Sequence, residues 1–247
     1  MQYKVNINGI DVDAIYSKEN IDEIFIPMLE RMKQLHQEHG RRILVFLAAP
    51  PGTGKSTLVS FLQYLSENTD GLEPVATIGM DGFHHYQDYL KSHQIIRDGK
   101  EYSMVQVKGA PETFDLDQFT ERIKRVASGE KVGWPEYNRM THNPKDNAIY
   151  VTGDIVLLEG NYLLLNRKGW KDLRNYADLT IKITAEPDML RNRLIERKIC
   201  SGSIYEDAAQ FVDFSDMANV RVCLEESADA DINLELCQDD SYKIRKI

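Results

Sequence analysis

The stretch Ile43–Thr57, ILVFLAAPPGTGKST, decides how this sequence is interpreted. It opens with a short run that is apolar at every position, which is typical of a central parallel strand buried on both faces. A glycine-containing loop follows, and residues 56–66 then show helical spacing. Strand, glycine loop and helix, in that order, are the setting in which a phosphate-binding loop works.

The loop supplies the residue types that a bound phosphate needs. Glycines let the backbone turn so that several N–H groups point inward, and the new helix directs its positive end to the same place. A lysine can reach the β- and γ-phosphates, and the hydroxyl that follows it can bind Mg²⁺. The predicted nucleotide-binding residues are Pro51, Gly52, Thr53, Gly54, Lys55, Ser56 and Thr57.

One position departs from the GxxxxGK[ST] pattern, because Ala49 stands where the first glycine is usual. Alanine is small, but it tolerates fewer backbone angles than glycine. The alternative interpretation is a glycine turn that only joins a strand to a helix. The buried strand before the loop and the helix after it favour the phosphate-binding loop.

The N-terminal 40 residues form a hairpin-like segment followed by a helix in this interpretation. Residues 3–16 alternate and contain Asn8-Gly9, a favoured hairpin turn. Residues 20–39 have the apolar spacing of an amphipathic helix, with Asn20 and Glu23 as a capping pair. Pro27 predicts that this helix kinks or begins near it.

The rest of the chain alternates between strands and helices. Buried strands are predicted over 74–80, 154–158, 178–184 and 232–236, with helices over 114–127, 186–199 and part of 206–226. Residues 83–111 are polar and weakly periodic, so we expect a long functional excursion there. The pattern predicts the α/β class and the P-loop NTPase fold, a parallel β-sheet flanked by helices in a single domain spanning 1–247.

Composition excludes several classes of protein. A net charge of −9 over 247 residues is unsuited to duplex nucleic acid, because phosphate neutralisation needs an excess of Lys and Arg. The 3 cysteines are few, odd in number and far apart, which argues against a disulfide framework or a zinc cluster. The N-terminus lacks a signal peptide and no apolar run is long enough for a membrane span, so we expect a cytoplasmic protein without membrane partners.

Two carboxylates follow buried strands of the predicted sheet. Asp81 comes after the strand PVATIGM, and Glu159 comes after the strand IVLL. In open parallel sheets the carboxyl ends of the strands are where ligands bind. A pair of acids beside a phosphate-binding loop can serve Mg²⁺ and a substrate hydroxyl, whereas either acid alone would more often be a solvated loop residue.

Together these segments resemble the phosphoribulokinase, uridine kinase and bacterial pantothenate kinase group of P-loop kinases, from about residue 43 to the C-terminus. DGFH at 81–84 is similar to the group's Asp-x-Phe segment, and KGAPETFD at 108–115 to its Gly-x-Pro segment. PEYN at 135–138 followed by His142 is similar to its Pro-x-Tyr-Asp segment, although Asn138 replaces the usual Asp. Leu158-Glu159-Gly160 matches its Glu-Gly after a strand.

The resemblance implies roles that the residues alone do not establish. It makes Asp81 the base and places Lys55, Arg193 and Arg197 on the transferred phosphoryl group, with the two arginines in a lid over about 186–203. Ser56 and Glu159 would serve the metal, and Asn219 and Val220 would lie near the adenine. The substrate residues would be Asp81, His84, Lys108, Tyr137 and His142. For Lys108, Tyr137 and His142, a solvated lysine, a core aromatic and a turn residue are equally good interpretations.

The expected activity is transfer of the γ-phosphoryl group of ATP, with Mg²⁺, to a hydroxyl of a small molecule. A nucleoside, a pantothenate-like compound and a sugar all stay open as acceptors, because no one branch's signature is complete: Lys198, for example, stands where uridine kinases typically carry Asp. The alternative is a nucleotide-dependent switch ATPase with a protein partner, and a third option is a degenerate kinase fold used as a scaffold. A homodimer is the default assembly, since twofold dimers are the commonest oligomers.

Overall fold

A computed structural model describes residues 1–7, 9–97, 99–138 and 140–245. Its centre is a six-stranded sheet in the order β12-β11-β10-β3-β9-β4. All neighbours in it are parallel except β11 and β12, which are antiparallel. The strands are Ile43–Ala48 (β3), Val75–Gly79 (β4), Ile155–Gly160 (β9), Leu179–Ala185 (β10), Ile232–Leu236 (β11) and Tyr242–Ile244 (β12). The predicted α/β class and parallel sheet are confirmed.

Helices cover both faces of this sheet. The α-helices of the described residues are Lys18–Asn20 (α1), Ile26–His39 (α2), Lys55–Asn68 (α3), Gln87–Ser92 (α4), Leu116–Ala127 (α5), Pro187–Cys200 (α6), Tyr205–Phe211 (α7) and Met217–Glu226 (α8). Strand β3 shows why the sheet must be covered twice. Its alternate residues Ile43, Val45 and Leu47 belong to one buried cluster, and the intervening Leu44, Phe46 and Ala48 belong to the other. In the part of the chain described, no helix is long and apolar enough to cross a membrane.

The N-terminal segment forms an antiparallel hairpin of Gln2–Ile7 (β1) and Ile10–Ile15 (β2). Of the predicted Asn8-Gly9 turn, Asn8 lies outside the described residues, and Gly9 has the positive φ of 85° that favours glycine. The predicted Asn20–Glu23 capping pair is wrong, because the Ser17 side chain accepts the N–H of Asn20 and caps α1. A π-helical turn, Ile21–Phe25, then leads into α2, which begins at Ile26, so Pro27 lies in its first turn.

Two hairpins that the sequence did not predict stand beside the sheet. The excursion over 83–111 contains helix α4 and the hairpin of Gln94–Arg97 (β5) and Lys100–Ser103 (β6). A longer hairpin joins Val132–Asn138 (β7) to Asn143–Val151 (β8). Trp134 is fully buried there and donates its indole N–H to the Gly79 carbonyl at 2.8 Å.

A buried pair of hydrogen bonds joins the N-terminal helices to the last strand. The Asn20 amide donates to the Tyr242 carbonyl at 2.9 Å and accepts the Tyr242 N–H at 2.8 Å. Asn20 is only 5% exposed, so water cannot replace these partners. The N-terminal helices are thereby fixed to the antiparallel edge of the sheet.

Candidate nucleotide and acceptor site

The phosphate-binding loop joins β3 to α3 at the carboxyl edge of the sheet. Gly52 and Gly54 have φ values of 89° and 76°, which side chains rarely adopt. The Thr53 hydroxyl donates to the Pro50 carbonyl at 2.9 Å and closes the turn. Helix α3 begins at Lys55, so its unpaired N–H groups face the loop, as phosphate binding requires.

Ala49 fits the loop without strain. Its φ is not among the positive values found for described non-glycine residues, which belong to His142, Asn147 and Asp240. Its side chain is 2% exposed and packs in the core, and its N–H donates to the Gly160 carbonyl at 3.3 Å. The departure from glycine therefore costs the loop nothing in backbone geometry.

Ser56 and Glu159 meet directly beside this loop. The Ser56 hydroxyl donates to Glu159 Oε1 at 2.8 Å. Glu159 lies on β9, between β3 and β4, and is paired in register with Leu47 and Gly79. Burial raises the pKa of the Glu159 carboxyl; Lys55 lowers it and the neighbouring Asp81 raises it further. The hydroxyl and the two carboxyl groups thus share one edge of the sheet.

Asp81 sits in a short 3₁₀ turn, Met80–Phe83, directly after β4. The next residue must be glycine, because a Cβ on Gly82 would lie 2.1 Å from the Pro135 carbonyl oxygen. The β7–β8 hairpin therefore packs against the turn and fixes the backbone at Asp81. His84 closes the turn, since its Nδ1–H donates to the Asp81 carbonyl at 2.9 Å.

A cavity of 1020 Å³ opens in front of these groups. Its lining includes most of the side chains that the sequence predicted for catalysis or acceptor binding: Lys55, Asp81, His84, Lys108, Tyr137, His142 and Arg197, together with Pro51 of the loop. Ser56 and Glu159 line an adjoining cavity of 230 Å³, and Asp81 and Tyr137 border both. The fold thus brings residues that are far apart in the sequence to these two adjoining cavities.

Lys108 projects into the large cavity from the excursion. Its ammonium donates to Gln87 Oε1 at 3.2 Å and to the His142 carbonyl at 3.1 Å, and it lies 4.7 Å from the centre of the Tyr137 ring. Burial lowers the pKa of Lys108 to about 8. His142 meets Lys108 through its backbone, at a φ of 54°, and its side chain is exposed.

The two arginines of the predicted lid occupy different places. Arg197 lines the large cavity, whereas Arg193 pairs with Asp240 and points one guanidinium nitrogen at the Gly52 carbonyl, 3.5 Å away. The first turns of α6 are buried: Leu190 and Leu194 pack against Gly52. A moving lid stays a prediction, and its mobile part would be confined to the end of α6 and the turn after it.

Some cavity residues carry buried oxygens without a protein partner. Among the described residues, the side-chain oxygens of Asn161, Asp216 and Asn219 are buried and accept no hydrogen bond, and all three residues line the large cavity. Native proteins rarely leave such atoms unpaired. Asn161 directly follows the end of β9, so the strand-end argument applied to Glu159 could have found it. Asn219 lines the large cavity close to Gly109 on the excursion, and its predicted place near the adenine stays a prediction. Val220, also predicted there, is buried in the core.

Comparison with known proteins identifies the family of this chain. The sequence model of the phosphoribulokinase/uridine kinase family matches residues 44–241. The uncharacterized protein YggC of Escherichia coli K12 is 38% identical over 98% of both chains. A candidate uridine kinase of Schizosaccharomyces pombe, C227.14, is 30% identical over 92% of this chain and 94% of its own. A candidate fructose transport system kinase from Silicibacter sp. TM1040 superposes with a TM-score of 0.72 at 30% identity, covering 83% of this chain and 98% of that one.

These matches place the chain among P-loop small-molecule kinases, and it belongs to the phosphoribulokinase/uridine kinase family. The predicted family and fold are confirmed. The relatives carry different substrate names, so they leave the acceptor open. The roles of individual residues stay predictions.

Proposed function

We propose that this protein is an ATP-dependent kinase that transfers the γ-phosphoryl group to a hydroxyl of a polar small molecule. One observation carries the proposal. Asp81 lies beside the hydrogen bond between Ser56, which directly follows Lys55 of the phosphate-binding loop, and Glu159. It also lines a cavity large enough for a second substrate. A nucleotide switch would need the loop, but it would not need a carboxylate aimed into such a cavity.

The side chains present suit Mg²⁺. In the described residues no three His, Cys, Asp or Glu side chains gather into a metal cage. Mg²⁺ seldom uses such cages and is usually held by one or two protein oxygens with water and phosphate. Ser56 and Glu159 would supply those oxygens. When bound, Mg²⁺ neutralises charge that builds up on the phosphates.

The protein's own groups would then perform positioning and proton transfer. Lys55 and the loop N–H groups orient the triphosphate, and Arg197 offsets negative charge on the group in transfer. Asp81 accepts the proton of the acceptor hydroxyl as the new O–P bond forms and the bond to ADP breaks. Lys55→Ala should therefore weaken both ATP binding and transfer.

The cavity wall indicates a polar acceptor. Lys108 supplies a cation, and the unpaired oxygens of Asn161 and Asn219 would be satisfied by hydrogen-bond donors on a ligand after small side-chain movements. Nucleosides, pantothenate-like compounds and sugars all carry such donors, so the wall supports this whole group.

The test is ADP release in the presence of Mg²⁺ and ATP, with and without pooled hydroxyl compounds. A kinase gives ADP release that one pool stimulates strongly, together with a phosphorylated product. The same pool should have no effect on Asp81→Asn. ADP release that no pool stimulates, and that Asp81→Asn leaves unchanged, would contradict the proposal and favour a switch ATPase.

A further inference from the structure

The N-terminal hairpin lies outside the part of the chain that the family model matches, which begins at residue 44. An isolated two-stranded hairpin is marginally stable in water, so it must gain its stability from what it packs against. Here it packs on α3, the helix that starts at the phosphate-binding loop. The hairpin therefore lies beside the proposed nucleotide site.

Aromatic and polar contacts hold the base of the hairpin on α3. The Tyr3 hydroxyl is hydrogen-bonded to Ser60 Oγ at 2.8 Å, and the centre of its ring lies 5.1 Å from the centre of the Phe61 ring. Tyr16, just after β2, stacks on the same Phe61 with 4.1 Å between ring centres. Ser60 lies one helical turn beyond Ser56, so the hairpin is fixed to the face of α3 that carries the metal-site hydroxyl.

One face of the hairpin runs from this anchored base to an open tip. Tyr3 and Ala14 are paired across the strands and pack against the protein core. Ile7 and Ile10 are paired on the same face at the tip, and they line cavities instead. Ile10 borders the large cavity with Asp81 and Tyr137, and Ile7 borders the small one with the same two residues.

Local hydrogen bonds define the shape of the tip. Asn6 Oδ1 accepts the Gly9 N–H at 2.9 Å, and the Asn6 amide donates to Asp11 at 2.6 Å. Two isoleucines are thereby presented side by side to the space in front of Asp81. Branched apolar side chains in that position can contact the carbon skeleton of a ligand, but they cannot bind its polar groups.

We propose that the hairpin tip, through Ile10, forms one wall of the acceptor subsite and determines which acceptors fit against Asp81. This inference rests on the proposed kinase function. It makes Ile10 a specificity-determining residue that touches the body of the acceptor, and it assigns no chemical step to the hairpin. A hairpin outside the family core would allow acceptor choice to change without altering the phosphate-transfer machinery.

The experiment uses the full-length protein and two acceptors that differ by one or two carbons, chosen from the compounds that the wild type phosphorylates. Specificity is the ratio of the two kcat/KM values, and one methylene in an apolar pocket changes such a ratio by about tenfold or more. Ile10→Ala should shift the ratio about tenfold toward the longer acceptor. Ile10→Phe should shift it toward the shorter one, with the KM for ATP unchanged in both.

Ile15→Ala is the matched control, because Ile15 is on the same strand and is 72% exposed, away from the cavities. Thermal unfolding of each variant shows whether it folds. If both Ile10 variants keep the wild-type ratio while folding normally, the hairpin is structural only and the inference is wrong. If the wild type phosphorylates no compound, the proposed function fails first, and the inference fails with it.

Discussion

The phosphate-binding side of the large cavity comes from one short stretch of chain, whereas the acceptor side is assembled from segments far apart in sequence. On the first side, residues 49–57 act mainly through backbone N–H groups, glycine angles and a helix end. On the proposed acceptor side, the side chains of Asp81, Lys108, Tyr137 and Asn219 come from four segments that are far apart in the sequence. If the proposed function holds, phosphate binding is encoded locally, whereas acceptor choice depends on how distant segments pack together.

The largest expected effect is on the acceptor side. Asp81→Asn should lower kcat by about 10³-fold, because general-base catalysis contributes about 10²- to 10⁴-fold. ATP affinity, measured by calorimetry, should stay within about twofold of wild type. Asp88→Asn, at an exposed carboxylate on α4, is the control. Unchanged turnover in Asp81→Asn would remove Asp81 as the base.

The second prediction separates the two arginines of α6. Arg197→Ala should lower kcat about 10²-fold, because removing one charge-stabilising group typically has that effect. Arg193→Ala should act more weakly, through the loop at Gly52, and Asp240→Ala should reproduce it because Asp240 holds Arg193 in place. Single-turnover rates with saturating ATP measure both. Equal losses for the two arginines would mean that both reach the phosphates.

The third prediction concerns the charge on Lys108. Because its pKa is lowered to about 8, Lys108 is cationic below that pH and loses its charge above it. The KM for the acceptor should therefore rise as the pH passes about 8. Lys108→Met should have a KM about tenfold higher at pH 7 and should lose this pH dependence.

Lys108 also predicts a change in stability with pH. Between about pH 8 and 10.5 the folded protein binds fewer protons at this residue than the unfolded chain, so its contribution to stability rises with pH. Denaturant unfolding across that range should show this rise in the free energy of unfolding for the wild type and for Lys100→Met, a control at an exposed lysine. For the preceding prediction, a KM for the acceptor that does not change with pH in the wild type would contradict the proposed role of the Lys108 cation.

The smallest expected effect is on the phosphate-binding side. Ala49→Gly restores the usual pattern, but Ala49 already adopts an unstrained φ. Activity should stay within about twofold, while stability falls by about 1 kcal/mol from lost burial and added chain entropy. Steady-state kinetics and thermal unfolding measure the two effects. A tenfold gain in activity would show that alanine distorts the loop.

The same contrast explains what the sequence could predict. The loop and the strands around it were predictable because apolar strands and glycine turns are local signals. The β7–β8 hairpin was missed because Pro135, Pro144 and its polar residues hide the strand pattern, and long-range pairing holds it in place. Helical spacing could not predict the separate positions of Arg193 and Arg197. Arg193 forms an ion pair with Asp240, which lies far away in the sequence. No sequence pattern predicted a functional role for Ile10, apart from its place near a turn.

The Asn20–Tyr242 pair has a consequence for how the protein is made. Strand β12 supplies both partners of the buried Asn20 amide, yet it is synthesised more than two hundred residues later. Until then the amide has no protein partner, and burying it would cost about 1 to 3 kcal/mol. The N-terminal helices should therefore complete their docking only after β12 has been synthesised and has joined the sheet.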